Sequence, residues 1–298
     1  MTSGTASADN IFVSNNNGTT IEEISNGAAS AFVTNPANLN GPTGLAFNKA
    51  GDLFVANNGS GNVVEFSPSG AFLGNYGTGM FSARGIAFDS AGNLFVANQG
   101  NGTIVKIPVG GGSSSVFASG LSAPNGLAFD SAGNLYVADG VSGVIDEISP
   151  SQVVTPFVTG LDSPNGLAFD SSGNLLVVNH GTSQVLKFSP TGTALGPVIT
   201  DGDISASLKT LAVDSQGNIF VSDNVENKVT EYDASGNTLK VYTGANGLNG
   251  PYFITTQLVS TDTPVMPFWG VATVTLLLFL VASRYLSCQN APAPAPNK

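Results

Sequence analysis

The chain has 298 residues, 42% hydrophobic and only 10% charged, enough apolar content for one large core or two small ones. Its formal net charge of -11 excludes a basic, phosphate-reading surface, so nucleic acid is not an expected partner. One cysteine, Cys288, excludes an intrachain disulfide and leaves the redox compartment open.

Residues 1–8 precede any strand pattern. Residues 1–10 carry neither a positive start nor an apolar stretch, so no signal peptide is read there. Residues 11–15, 20–24 and 31–34 then read as the second, third and fourth strands of a unit that lacks its first. After them one pattern is written five times, at a spacing of about 40 residues, the period of a propeller blade. It opens on an apolar run, Gly-Leu-Ala-Phe or close to it, at 42–47, 85–88, 125–129, 165–169 and 211–213. A turn Asp-x-x-Gly-Asn follows at 89–93, 130–134, 170–174 and 214–218, with 48–52 as its variant. Asp bonds backbone N–H groups two residues on, and Gly supplies the left-handed residue of a tight hairpin. Calcium ligation is the alternative use of these acids.

A second strand follows at 53–57, 94–98, 135–139, 175–179 and 219–223. It is apolar on both faces, which suits a sheet covered on both sides. The third strand alternates, and Glu23, Glu65, Lys106, Glu147, Lys187 and Glu231 hold its polar position. Their alternating sign from Glu65 onward reads as charge matching between units or as solubility. A fourth strand is weaker, as at 115–117 and 156–158, with Gly110 to Gly112 as a hairpin tip. Residues 251–256 are a lone first strand, which completes the N-terminal unit. The expectation over residues 9–258 is an all-β, six-bladed β-propeller with four-stranded blades, its ring closed by pairing the chain's two ends.

The run Pro-x-Gly-Leu-Ala-Phe-Asp, then Gly-Asn-Leu-Tyr-Val-Ala-Asp, then Val-x-Glu-Phe-Ser resembles the NHL repeat and the related gluconolactonase-like propellers. That resemblance implies the fold; the families it spans include lactonases, lyases and pure binding modules. It also implies that two rings of residues face one mouth of the central channel. The first ring is Thr43, Arg84, Asn125, Asn165, Lys209 and Tyr252. The second is Asn15, Asn57, Asn98, Asp139, Asn179 and Asp223. A ligand is expected to be met at these positions.

Gluconolactonase-like enzymes hold a divalent metal at this mouth, through a Glu, an Asn and an Asp of the first ring. Asn125 and Asn165 match the Asn type, Tyr252 stands where the Glu is expected, and the ring contains no Asp. A divalent cation such as calcium would therefore have Asn125, Asn165, Asp139 and Asp223 as its ligands. The competing reading has the strand-ending Asn and Asp residues capping the next turn. Lyase propellers of this kind use histidines at the mouth. Here the one histidine, His180, reads as a solvated loop residue. Arg84 and Lys209 are the only cations of the first ring and fall on opposite sides of a six-fold channel. They are placed to hold an anionic group or an acidic peptide, unless each pairs with an acid such as Asp223.

After a linker at 259–265, residues 266–286 read as a transmembrane helix. Trp269 and Tyr285 stand at its interfaces, with Arg284 after the apolar stretch. The segment resembles the PEP-CTERM kind of sorting signal, with Met266-Pro267-Phe268-Trp269-Gly270 in place of Pro-Glu-Pro. Residues 287–298 are a Pro/Ala-rich tail. The expected protein is thus a membrane-anchored propeller, displayed outside the cell, that binds a protein, peptide or glycan at its mouth. A metal-dependent lactonase or lyase-type hydrolase is the first alternative, and a cytosolic tail-anchored scaffold the second.

Overall fold

The structure, a computed structural model, describes residues 9–257 apart from 26, 34, 35, 201–206, 245 and 246. The chain divides into two units, Met1–Val259 and Ser260–Lys298. The second unit lies outside the described residues, and with it the expected span at 266–286. Among the described residues no helix is long and apolar enough to cross a membrane.

Six four-stranded antiparallel sheets make up the first unit. Blade 1 combines β1 (Asn10–Asn15), β2 (Thr20–Ser25) and β3 (Ala28–Ala31) with the C-terminal strand β24 (Pro251–Gln257). Blade 2 is β4 (Pro42–Phe47), β5 (Leu53–Asn57), β6 (Asn62–Phe66) and β7 (Phe72–Thr78). Blade 3 is β8 (Ala83–Phe88), β9 (Leu94–Asn98), β10 (Thr103–Ile107) and β11 (Ser115–Ser119). Blade 4 is β12 (Pro124–Phe129), β13 (Leu135–Asp139), β14 (Val144–Ile148) and β15 (Val154–Val158). Blade 5 is β16 (Pro164–Phe169), β17 (Leu175–Asn179), β18 (Gln184–Phe188) and β19 (Ala194–Ile199). Blade 6 is β20 (Leu208–Val213), β21 (Ile219–Asp223), β22 (Lys228–Tyr232) and β23 (Thr238–Tyr242).

The inner strands β4, β8, β12, β16, β20 and β24 touch one another in turn and close the ring. Closure is made by β24 pairing with β1, in the register Ile11↔Thr256 and Val13↔Ile254. One expected strand moves. Blade 1 has its fourth strand at Ala28–Ala31, not at 31–34, because Phe32 and Val33 have already turned to donate their N–H groups to the Ile21 carbonyl.

The turns fold as their chemistry dictates. Asp89 Oδ1 accepts from the backbone N–H of Ala91 (3.0 Å) and Asn93 (2.8 Å), and its Oδ2 from Asn93 Nδ2 (2.7 Å). Asp130, Asp170 and Asp214 do the same, so each carboxylate is occupied by its own turn. The apolar second strands sit between blades. Phe54, Ala56 and Val63 of blade 2 pack on Ile86, Leu94, Val96 and Ile107 of blade 3, and equivalent clusters fill the other junctions. Aromatic rings reinforce four of these: Phe54 meets Tyr76 and Phe88 edge-on at 4.6 and 4.9 Å between centroids.

The glycine of each Gly-Leu-Ala-Phe strand has a steric cause. A Cβ on Gly126 would lie 2.5 Å from the carbonyl oxygen of Asn165 on the next inner strand, and Gly44 and Gly85 face the same obstruction. Glycine at this position on four of the six inner strands lets them crowd round one axis, with Thr210 and Phe253 in its place on β20 and β24.

Candidate functional site

The rim holds Arg84 on β8, Asn125 on β12, Asn165 on β16, Lys209 on β20 and Tyr252 on β24. Thr43 of β4 occupies the equivalent position but is fully buried. Its hydroxyl lies against the carbonyl oxygens of Ala56 (3.1 Å) and Ala83 (2.9 Å), so it offers nothing to a ligand.

Arg84 reaches across blade 2. Its Nη1 donates to the Tyr252 hydroxyl at 2.6 Å, its Cζ stands 5.3 Å from the centre of the same ring, and its Nε donates to Gln99 Oε1 at 3.0 Å. Gln99 Nε2 in turn donates to Asn125 Oδ1 at 2.7 Å. Blades 1, 3 and 4 are tied together by this chain. Opposite it, Lys209 makes no hydrogen bond or ion pair among the described residues, so the expected pairing of either cation with Asp223 is not formed. Burial, and then the Arg84 charge, lower the Lys209 pKa, with Asp223 opposing them. Two half-buried cations thus face one opening and repel each other across it.

His180 also belongs to this site and is not a solvated loop residue. It is half-buried, and its Nδ1 lies 2.9 Å from the Leu208 carbonyl on blade 6. Burial and the neighbouring Lys209 hold its pKa below the usual histidine value, against weaker opposing pulls from the Leu208 carbonyl, Asp162 and Asp223. Gln99 and His180 occupy the same place in their blades, directly after the strand-ending Asn98 and Asn179. Asn58 is the equivalent residue of blade 2. This third ring was missed by reading the repeats. The signal was available, since the position varies from blade to blade while the Asn or Asp before it does not.

The second ring has a different job. Asn57, Asn98, Asp139 and Asn179 are buried, and each accepts from a backbone N–H of the loop that leads into its own blade's inner strand. The donors are Asn40 (3.1 Å), Phe81 (2.5 Å), Ser122 with Ala123 (2.8 and 2.7 Å), and Asp162 (2.8 Å). Asn15 does this for Asn249 at 3.0 Å. Capping of the next turn was the expectation; Asp223 meets it, accepting from Val225 (3.0 Å) and Glu226 (3.1 Å). In blades 2 to 5 the bond runs back some 17 residues. These side chains anchor the rim loops and do not line an opening.

A divalent cation does not fit this donor set. Asn125 Oδ1 is taken by Gln99, both Asp139 oxygens are held by backbone N–H groups, and Arg84 fills the space beside Tyr252. Two cations at the rim oppose a third charge of their own sign. Among the described residues, no three His, Cys, Asp or Glu side chains come together as a metal would require. Charge along the third strands is also local. Lys106 pairs with Asp89 (4.0 Å) and Lys187 with Asp170 (2.8 Å), each within its own blade and not between blades.

Two buried side-chain atoms have no hydrogen-bond partner among the described residues: Asn58 Nδ2 and Asn165 Oδ1. One belongs to the third ring and one to the first. A cavity of about 400 Å³ lies along the C-terminal halves of the inner strands, lined by Leu45, Ile86, Leu127, Leu167 and their neighbours.

Residues 88–208 match the SMP-30/Gluconolactonase/LRE-like family. That span runs from the end of the inner strand of blade 3 to the start of that of blade 6, and the likeness read from the repeats is shown over it. A chain of the nidogen/laminin complex is 21% identical, covering 85% of this chain and 99% of that one, with a TM-score of 0.74. A gluconolactonase-like protein is 18% identical (68% and 77% covered, TM-score 0.60). A virginiamycin B lyase from Staphylococcus aureus, solved with quinupristin, is 12% identical (82% and 86% covered, TM-score 0.61). Identities this low show the six-bladed fold alone. No curated protein sequence matches the chain.

Proposed function

We propose that this propeller is a binding module, not a catalyst, and that its mouth holds an anionic group of a protein, peptide or glycan between Arg84 and Lys209. The observation that carries the reading is Lys209. It is a half-buried ammonium facing a guanidinium, with no hydrogen bond or ion pair of its own among the described residues. Burying like charges together is unfavourable unless a counter-charge arrives, and an anionic ligand supplies it. The lactonase or lyase reading rests on the family match over 88–208, and the misfit of a metal to these residues speaks against it. We propose further that 266–286 anchors the chain in a membrane with the propeller outside the cell. The run's length, apolarity and interfacial aromatics support this.

Binding of anionic and neutral ligands to the wild-type chain and to the Arg84→Ala/Lys209→Ala variant tests the site. Anionic ligands should bind only the wild type; an unchanged affinity in the variant refutes the site. Gluconolactone hydrolysis that requires a stoichiometric divalent ion would instead favour the enzyme. Protease cleavage of the propeller on intact cells tests display, and full protection would place it inside.

A further inference from the structure

At the end of the blades opposite the mouth, a cavity of about 570 Å³ lies between blades 2 and 3. Phe47, Tyr76 and Phe88 form its apolar walls over the buried Phe54, and half-buried Glu65 lines it with them. Glu65 is the odd member of a set. Every third strand places a charged residue opposite the second residue of its second strand: Glu23, Glu65, Lys106, Glu147, Lys187 and Glu231. Five of them have a partner. Glu23 accepts from Asn10 Nδ2, Glu231 accepts from the Tyr242 hydroxyl at 3.0 Å, and Glu147 lies beside the Tyr136 hydroxyl. Lys187 pairs with Asp170 at 2.8 Å, and Lys106 with Asp89 at 4.0 Å. Glu65 has no partner among the described residues. Phe54 stands where blade 4 has Tyr136, and it offers no hydroxyl. Burial, and then the Asp52 carboxylate, push the Glu65 pKa up, so its charge is held without compensation.

Blade 3 shows what this place accepts. Lys106 lays its ammonium 5.4 Å from the centre of the Phe95 ring and against a carboxylate, combining cation–π attraction with an ion pair. Blade 2 keeps the rings and lacks the ammonium. Lys49, at the edge of the cavity, does not supply it: its exposed Nζ donates to the Ser90 carbonyl at 2.8 Å. Asp89 also reaches the cavity, but its carboxylate is taken by its own turn and by Lys106. A metal ion would thus find one uncommitted carboxylate among apolar walls. A quaternary ammonium would face the rings but bring no N–H to the carboxylate. A lysine side chain does both, with its methylene stem along the rings and its N–H groups on the acid.

We propose that this cavity, separate from the mouth, receives a lysine side chain of a partner protein, its ammonium held by Glu65 and its stem packed against Tyr76 and Phe88. The chain's net charge of -11 favours the approach of a basic partner.

Ligand-observed NMR titration of the full chain in maltoside detergent tests this with three probes: the capped peptide Ala-Lys-Ala, the same peptide with its lysine Nε-acetylated, and phosphocholine. The lysine peptide should bind at least tenfold more tightly than either of the others. Glu65→Gln should erase that advantage, and Glu65→Lys, which copies blade 3, should abolish binding of the lysine peptide. Glu147→Gln, at the equivalent place in blade 4, should leave the advantage unchanged. Equal affinity for the two peptides, or an advantage that survives Glu65→Gln, overturns the proposal. Loss of the advantage in Glu147→Gln overturns the assignment to blade 2. Tighter binding of phosphocholine would make the ligand a lipid headgroup and overturn the lysine, and if no probe binds the site itself falls. Should the variants fail to fold, carbodiimide coupling of the lysine peptide to the wild-type chain decides, with the product mapped by mass spectrometry. Glu65 should be the main carboxylate coupled; coupling mainly elsewhere overturns the site.

Discussion

Replacing Asp146 by valine should stabilise the propeller, by an amount that depends on pH. Asp146 stands on β14 opposite Val137, at the position that Val64, Val105 and Leu186 fill in blades 2, 3 and 5. It is 8% exposed and makes no hydrogen bond among the described residues. Burial, and then the nearby Asp139 carboxylate, push its pKa up to about 6, from 3.8. A carboxyl whose folded pKa is raised binds more protons folded than unfolded between those two values. Its contribution is intact below about pH 3.8 and is lost as pH rises through 6. At about 1.4 kcal/mol per unit, two units correspond to at most about 3 kcal/mol lost at pH 7. Valine removes that penalty and adds burial worth about 1–2 kcal/mol. For a domain of this size each kcal/mol is roughly 2–4 °C in Tm, so a rise of up to about 8–20 °C is expected at neutral pH. Thermal or urea denaturation of the wild type, Asp146→Asn and Asp146→Val at pH 4 and pH 7.5 checks this. The gap between wild type and Asp146→Asn should be small at pH 4 and reach about 2–3 kcal/mol at pH 7.5. A gap independent of pH, or a valine variant less stable than wild type, refutes the reasoning.

Other substitutions probe the fold around the site. Gly126→Ala drives a methyl to within 2.5 Å of the Asn165 carbonyl, and denaturation should show a loss of about 1–3 kcal/mol from overpacking. Asn98→Ala removes the acceptor for the Phe81 N–H and the donor to Thr103 Oγ1, and should cost about 1–3 kcal/mol in the same assay. Lys187→Ala breaks an ion pair of 2.8 Å that is partly exposed to solvent; a change of no more than about 1 kcal/mol is expected, and a larger one would show a role beyond the pair. Removing divalent ions with a chelator should leave the melting temperature unchanged, because the Asp89, Asp130, Asp170 and Asp214 carboxylates are bonded within their own turns. A marked fall would expose a bound cation.

The strands and turns were legible because their causes are local. An Asp two residues before an amide, or a Gly where φ is positive, needs no knowledge of the rest of the chain. One more such turn, Asp233 to Asn237 between the third and fourth strands of blade 6, follows the same chemistry but lies outside the repeated place, and was passed over for that reason. The site was only half legible. Position in the repeat brought Arg84, Asn125, Asn165, Lys209 and Tyr252 to one rim. Whether each was already satisfied depended on neighbours from other blades, such as Gln99 for Asn125. His180 escaped for the same reason: its partner, Leu208, belongs to the next blade. The second ring misled because a strand-ending Asn looks alike whether it caps forward, as Asp223 does, or braces backward, as Asn57 does.

The central claim is that the mouth attracts an anion where its relatives would suggest a metal. Anomalous diffraction from crystals grown with selenate addresses it directly. The account predicts a selenium peak between the Arg84 guanidinium and the Lys209 ammonium, absent from Lys209→Met crystals. A divalent cation coordinated by Asn125 and Asn165, with no selenate at the rim, would contradict it.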